Sequence, residues 1–364
     1  MKIKKSNELC AVVCFFDAYP ATTGAGTVSY DFFCSLPYKN KILFQYSKKE
    51  IIKKKIKSII IFKNKIFFKI LFLPFMLYAL LDFFKKKSSK KTLFIEGASW
   101  SFYSFFIIFF LQFLKNITIV YRSHNIEWEI RKENSNILIA YLTNFFEKKI
   151  CQMCNIVTST SLVEKKKFFK YYRKETDLFP NSISFDYLKR IKSSKLKSTP
   201  KKFIFYCGSY QYKPNKIAIN CLINKILPNL PEDIYLVITG DSDFNFNNKR
   251  VLNYGIVKKS NLKFLYQNCI SVVAPIYTGY GTRIKFIEAL FYNCPIVTTK
   301  KGFEGLEIYN NNVFICSSPK AMVQKIRKIK NKKRNYVKKI INYSMEYNTS
   351  RFISRLSSVK ATNI

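Results

Sequence analysis

The stretch Val272 to Leu306 constrains the fold more than any other part of the chain. It reads VVAPIYTGYGTRIKFIEALFYNCPIVTTKKGFEGL. A β-branched run ends in Ala274-Pro275, and a loop with Gly279 and Gly281 follows. Thr282, Arg283 and Lys285 come next, with Glu288 one helical turn further on. After Asn293-Cys294-Pro295 a second strand-like run, Ile296 to Thr299, leads into a Gly-rich turn, Gly302 to Gly305. The order is strand, glycine loop, helix, strand, glycine loop. Such a unit sets backbone N–H groups and fixed cations at a helix N-terminus, where anionic phosphate binds.

The same alternation runs through the rest of the chain. Leu9 to Phe16 is an apolar run of strand length, closed by Tyr19-Pro20 and a Gly24-Ala25-Gly26 loop. A run apolar on both faces reads as a strand buried inside a parallel sheet. Lys41 to Tyr46, Thr92 to Glu96, Ile117 to Tyr121 and Ile156 to Thr160 are further strands, with one more ahead of the turn Phe179-Pro180-Asn181. Helix-length apolar stretches, Ile66 to Phe84 and Phe102 to Leu114, lie between them. Residues 189–202 are Lys/Ser-rich with Pro200 and little to bury, which marks an interdomain linker. A second series follows: Phe203 to Cys207, Ile234 to Thr239, Val251 to Tyr254, Ile270 to Ala274, Ile296 to Thr299 and Asn312 to Cys316. The expectation is an α/β protein of two doubly wound, Rossmann-like parallel-sheet domains, residues 1–188 and 203–330.

Length agrees, since 364 residues is long for one core and ordinary for two. Lys and Arg number 63 against 22 Asp and Glu, formally +41, and only ten of the cations are Arg. The lysines are spread over the whole length, as a bias toward AT-rich codons would spread them. No nucleic-acid motif accompanies them, so nucleic acid is not expected as a partner. An anionic membrane surface is the more natural one. The stretch Ile66 to Phe84 carries Lys69, Pro74 and Asp82, and lysine triplets flank it at 53–55 and 85–87. Those interruptions, with basic flanks on both sides, favour a buried or interfacial amphipathic helix over a membrane span. At the N-terminus Lys2, Lys4 and Lys5 precede only the short run Ala11 to Phe16, which is not a signal-peptide pattern. Ten cysteines then read as reduced thiols of a cytoplasmic protein. Cys151 and Cys154 form a lone C-x-x-C and His124 is the only histidine, so no metal site is expected.

Together the motifs resemble a known family. FYCGSYQYKPN (Phe205 to Asn215), YLVITGDS (Tyr235 to Ser242) and the 270–306 region stand in the order of the C-terminal domain of GT-B glycosyltransferases of group 1, or family 4. YRSHNIEWE (Tyr121 to Glu129), IVTSTS (Ile156 to Ser161) and FPNSIS (Phe179 to Ser184) resemble landmarks of its N-terminal domain. Tyr343-Ser344-Met345-Glu346 is similar to the family's helix that crosses back to that domain, placing such helices in residues 331–364. The resemblance implies two domains facing across a cleft, the first handling the acceptor and the second binding a nucleotide sugar. It implies transfer of a sugar from a nucleotide-diphosphate donor to a glycan or lipid-linked acceptor, with retention and without metal or cofactor. Polysaccharide synthesis at the inner face of a membrane, by a peripheral cytoplasmic enzyme, is the expected setting.

A leaving nucleoside diphosphate develops negative charge, which fixed cations and helix N-terminal N–H groups stabilise. Arg283 and Lys285 are the cations expected there, Arg283 with the planar fork that suits phosphate. By resemblance Glu288 accepts hydrogen bonds from the donor ribose, and Gly208, Gly279, Gly281, Thr282 and Gly305 line the donor. The bland alternative for Glu288 is a surface pair with Lys285. Gly24 and Gly26 follow the first strand in a loop the family uses near the reacting sugar, where glycine permits close approach. His124 follows a strand end, where open α/β sheets place ligands, and resembles the family histidine that faces the donor. Many relatives carry two glutamates eight positions apart; here Tyr280 stands for the first, so the residue that reads the sugar differs. That departure keeps open a GT-B scaffold binding membrane or nucleic acid without catalysis. A third class is a GT-B epimerase or hydrolase, told apart by turnover of donor without acceptor. No Ser/His/Asp set is evident in the sequence.

Overall fold

The structure is a computed structural model that describes residues 6–21, 23–47, 59–63, 68–240, 244–279, 281–306, 311–329 and 338–356. Lys53, Lys54, Lys55 and Lys57, the start of the 66–84 stretch and Tyr280 lie outside the described residues. The chain divides into two compact units, residues 1–183 with 345–364, and residues 184–344.

The first unit holds seven strands: β1 (Ser6–Cys14), β2 (Tyr38–Ser47), β3 (Ile59–Lys63), β4 (Lys91–Glu96), β5 (Ile117–Arg122), β6 (Ile156–Ser159) and β7 (Asp177–Leu178). Their order is β3-β2-β1-β4-β5-β6-β7, and every pairing is parallel. Leu9 to Cys14 and Thr92 to Glu96 have no solvent face, which is why they occupy the middle of the sheet. The order reverses between β1 and β4, and α/β sheets of this kind bind ligands beyond the strand carboxyl ends at such a switch. The helix Phe68–Lys85 buries Met76, Leu80, Phe83 and Phe84 and exposes Phe75 and Tyr78. No helix among the described residues is long and apolar enough to cross a membrane. The helix Met345–Leu356 belongs to this unit: Phe352 packs on Phe94 and Phe179, and Asn348 donates to Ser182 Oγ at 2.7 Å.

The second unit repeats the plan with six parallel strands: β8 (Phe203–Cys207), β9 (Tyr235–Thr239), β10 (Val251–Asn253), β11 (Val272–Ala274), β12 (Ile296–Thr298) and β13 (Val313–Ile315). Their order is β10-β9-β8-β11-β12-β13, so the switch lies between β8 and β11. The Lys/Ser-rich segment 189–202 lies within this unit. Ser194 donates its N–H to the Ser260 carbonyl (3.1 Å) and accepts from Asn261 Nδ2 (2.9 Å), while Lys263 Nζ donates to the Ile191 carbonyl (2.7 Å). Its backbone finds partners although its side chains bury little, and the division between units falls earlier, at Ile183/Ser184.

Candidate functional site

At the switch of the second unit, the loop leaving β11 needs left-handed backbone twice, at Gly279 (φ 95°) and Gly281 (φ 80°). Glycine adopts that conformation without a Cβ penalty. A side chain at Gly279 would also strike Pro214, in the first turn of the helix Lys213–Cys221 that follows β8. Glycine therefore lets the two loops close on each other, and Arg283 and Lys285 come with them. Arg283 immediately precedes the helix Ile284–Phe291 and donates to the carbonyls of Gly281 (2.9 Å) and Thr278 (3.4 Å). Lys285 Nζ donates to Asn215 Oδ1 (3.3 Å) and lies 4.0 Å from the centre of the Tyr206 ring. A Cβ on Gly208 would lie 3.0 Å from that ammonium, so Gly208 faces the same spot. Burial lowers the pKa of both cations, that of Lys285 to about 7. Neither helix at this switch carries a side-chain cap, and an anion suits such N-termini. Thr282 Oγ1 is buried with no hydrogen-bond partner among the described residues, and a Cβ on Gly305 would lie 3.3 Å from it.

Glu288 is buried, and it does not pair with Lys285. Its carboxylate accepts from Lys259 Nζ (2.6 Å) and from the Tyr266 hydroxyl (3.0 Å). Lys285 is drawn the other way by Tyr206 and Asn215, which is why the surface pair offered by the spacing does not form.

In the first unit Gly24 and Gly26 are not a loop. They form the first turn of the helix Gly24–Ser35, where Thr23 Oγ1 accepts from the Gly26 N–H at 3.1 Å. A side chain at Gly26 would overlap the Asp17 carbonyl, so this glycine lets the helix pack against the segment after β1. Ser29 on this helix donates to Glu96 Oε2 at 2.7 Å. Glu96 ends β4 and Arg122 ends the neighbouring β5; Arg122 grips both carboxylate oxygens, from Nε and Nη2, each at 2.6 Å. The guanidinium lies between the Phe32 and Phe179 rings at 4.2 and 5.0 Å. His124 Nε2 stands 2.9 Å from Glu96 Oε2 and 3.3 Å from Ser29 Oγ, and all four side chains are buried. Burial would push the Glu96 carboxyl up, but Arg122 and His124 together outweigh it and hold it at about 2. Burial lowers the His124 pKa, against the pull of Glu96 in the other direction. At neutral pH an ionised carboxylate therefore faces a neutral imidazole.

Sequence reasoning finds His124 and misses Ser29, Glu96 and Arg122. The partners are far apart in the chain, and each residue reads locally as the polar end of an apolar run. One signal was there: Glu96 and Arg122 put opposite charges at the ends of two strand-like runs, which meet if the strands are parallel neighbours. Cys151 and Cys154 are buried free thiols, and burial holds Cys154 up at about 12. Among the described residues no His/Cys/Asp/Glu group could hold a metal ion.

Residues 201–332 match the family model described as glycosyl transferases group 1. No curated protein matches the chain by sequence. Among solved structures, HepE of Anabaena in complex with UDP and glucose is similar at 12% identity and TM-score 0.66, covering 96% of this chain and 100% of that one. A UDP-forming α,α-trehalose-phosphate synthase of Burkholderia xenovorans is similar at 8% identity and TM-score 0.65, covering 96% and 100%. A glycosyltransferase of Rickettsia africae is similar at 12% identity and TM-score 0.61, covering 96% and 98%. At these identities the likeness is one of fold, while the family match rests on the second unit. The second unit thus carries the match to glycosyl transferases group 1, and the chain as a whole shares the two-domain GT-B fold of these solved structures.

Proposed function

We propose that the protein transfers a sugar from a nucleotide-diphosphate sugar to a glycan or lipid-linked acceptor, with retention and without metal. The observation that carries this reading is the gathering of Arg283 and Lys285 with Gly208 and Asn215 at the switch of the second unit. Two cations beside helix N-termini can hold a diphosphate and stabilise the charge that grows as it leaves. Gly279, Gly281, Thr282, Glu288 and Gly305 complete the donor side in this reading, and His124 meets sugar. Because HepE has been solved with UDP-glucose, a uridine nucleotide is the first donor to try. The test is thermal stability across a panel of nucleotide sugars, since a ligand that binds only the native state raises it. One member of the panel should stabilise the wild type and not Arg283→Ala; a panel with no effect counts against the reading. With that donor, the anomeric configuration of the product and activity in a chelator decide retention and metal independence.

Peripheral attachment to an anionic membrane belongs to the same proposal, and one face of the first unit supports it. Phe75 and Tyr78 are exposed on the helix Phe68–Lys85, and Phe110 on the helix Ser101–Leu111, with Phe113 just beyond. Leu138 and Tyr141 are exposed on the helix Ile137–Met153, and Phe113, Leu138 and Tyr141 show 70, 63 and 67% of their surface. The helix Ser101–Leu111 packs against both of the others, so these side chains belong to one layer. Exposed lysines on or just beyond the same helices, among them Lys85, Lys115, Lys148 and Lys149, complement an anionic leaflet. A second copy fits less well, because a net charge of +41 repels itself. Sedimentation with anionic vesicles should occur at low salt and weaken at high salt, and Phe113→Asp with Tyr141→Asp should abolish it. No sedimentation of the wild type at low salt rules the attachment out.

A further inference from the structure

Ser29, His124 and Glu96 are the residue types of a nucleophilic triad, yet they are not wired as one. A triad joins the serine to one imidazole nitrogen and the carboxylate to the other. Here both meet Nε2, at 3.3 Å from Ser29 and 2.9 Å from Glu96, and Ser29 also lies 2.7 Å from Glu96 as a donor. The Ser29 proton is thus spent on the carboxylate, and toward Nε2 the hydroxyl offers a lone pair. Arg122 holds both Glu96 oxygens, which keeps the carboxylate an acceptor. Two acceptors facing Nε2 call for a hydrogen on that nitrogen, because a bare Nε2 would set its lone pair against a carboxylate. Nδ1 makes no hydrogen bond to any described residue, although the side chain is buried.

We propose that Glu96 is a positioning residue that fixes His124 as the Nε2–H tautomer, leaving Nδ1 to accept a hydrogen bond from a sugar hydroxyl at the switch of the first unit. Burial and the nearby Arg122 charge disfavour a second proton on the ring, so the imidazole holds one and Glu96 decides where. In this state His124 recognises a hydroxyl and gives no proton to a leaving group. An acceptor that the bound sugar covers in this way discriminates against a deoxy sugar, which would leave it unpaired. The identity of the ligand as a sugar rests on the transfer reading above; the tautomer does not.

His124 is the only histidine in the chain, so nitrogen NMR of histidine-labelled protein reports on this ring alone. In the ligand-free wild type at neutral pH we expect Nε2 protonated and Nδ1 bare. A proton on Nδ1 overturns the proposal whether or not the protein transfers sugar. In Glu96→Gln the amide oxygen should go to Arg122 and turn its NH2 group toward Nε2, which moves the ring proton to Nδ1. That variant should lose about tenfold or more in kcat/KM for the sugar donor. Ser29→Ala removes only the weaker neighbour and should leave the Nε2–H form in place, which keeps the test decisive if Glu96→Gln does not fold. A tautomer that changes in Ser29→Ala assigns the positioning to Ser29 and overturns the role of Glu96. On saturation with UDP-glucose or another nucleotide sugar that stabilises the protein, the Nδ1 signal should shift toward a hydrogen-bonded acceptor. A nucleotide sugar that binds without moving Nδ1 overturns the hydroxyl contact, whereas a panel with no binder strikes the transfer reading and leaves the tautomer standing.

Discussion

A lysine ammonium over a tyrosine ring and beside an asparagine carbonyl has lost much of its water, and Lys285 titrates near 7 rather than 10.5 as a result. A diphosphate diester stays ionised across that range and favours the ammonium, so binding above about pH 7 takes up a proton. Affinity for a nucleotide sugar should therefore be flat below about pH 7 and fall as pH rises to about 9. Calorimetry in two buffers of different ionisation heat counts the proton, and Lys285→Arg should remove the dependence. A flat wild-type profile would take Lys285 away from the phosphate. Stability has its own sign: between the two values the unfolded chain binds a proton the native one lacks, so the cost of burying Lys285 is greatest below pH 7 and fades above it. Arg283→Ala should fold normally and lose about 2–4 kcal/mol of transition-state stabilisation, read from single-turnover rates. Glu288→Gln should weaken binding of the nucleoside diphosphate itself by about 1–3 kcal/mol. Unchanged binding would leave Glu288 as a partner of Lys259 and Tyr266 only. Arg283 and Lys285 were legible because two glycines and a helix start fix their place within a few residues. Glu96 was not, because its role depends on three residues that only the folded sheet brings to it.

The helix Glu127–Asn134, which begins just after His124, shows how one element is held by another. Its first N–H groups have no local cap; those of Glu127 and Trp128 donate to Glu147 on the helix Ile137–Met153, at 3.2 and 3.3 Å. The hydroxyls of Tyr121 and Tyr172 donate to the same carboxylate at 3.0 and 2.7 Å. Glu147→Ala leaves four donors in the interior without their acceptor and should cost about 3 kcal/mol or more in a urea unfolding experiment. A loss under about 1 kcal/mol would mean that water takes over all four. At this scale the strands were the legible part, since runs such as Phe203 to Cys207 have no polar face and can only be buried in a sheet. β3 went unread because its Ile-rich stretch sits in a window of lysines with no turn residue to mark its ends. The helix start at Gly24 went unread because glycine suggests a loop, while the N-cap Thr23 in front of it decides otherwise.

At the scale of the whole molecule, two sheets of the same winding were legible from two series of strand-like runs, but the path of the chain between them was legible only in outline. The chain leaves the first unit after Ile183 and returns to it at Met345. The returning helix is fastened through Phe352 between Phe94 and Phe179, and through Thr349, whose hydroxyl lies 2.7 Å from that of Ser35. Phe352→Ala should therefore lower the stability of the first unit by about 3–4 kcal/mol, seen as an earlier loss of protection of Phe94 and Phe179 amides in hydrogen exchange. Exchange that is unaltered there would show the helix to be an accessory.

That return has a consequence for how the protein is made. A ribosome releases residues 184–344 before it releases Met345–Leu356, so the second unit can finish folding while the first still lacks its closing helix. Until then the seam at Phe94 and Phe179 is uncovered, and the nascent first unit is a client for whatever chaperone shields apolar surface. Order of completion thus runs against order of synthesis: the unit begun first is completed last.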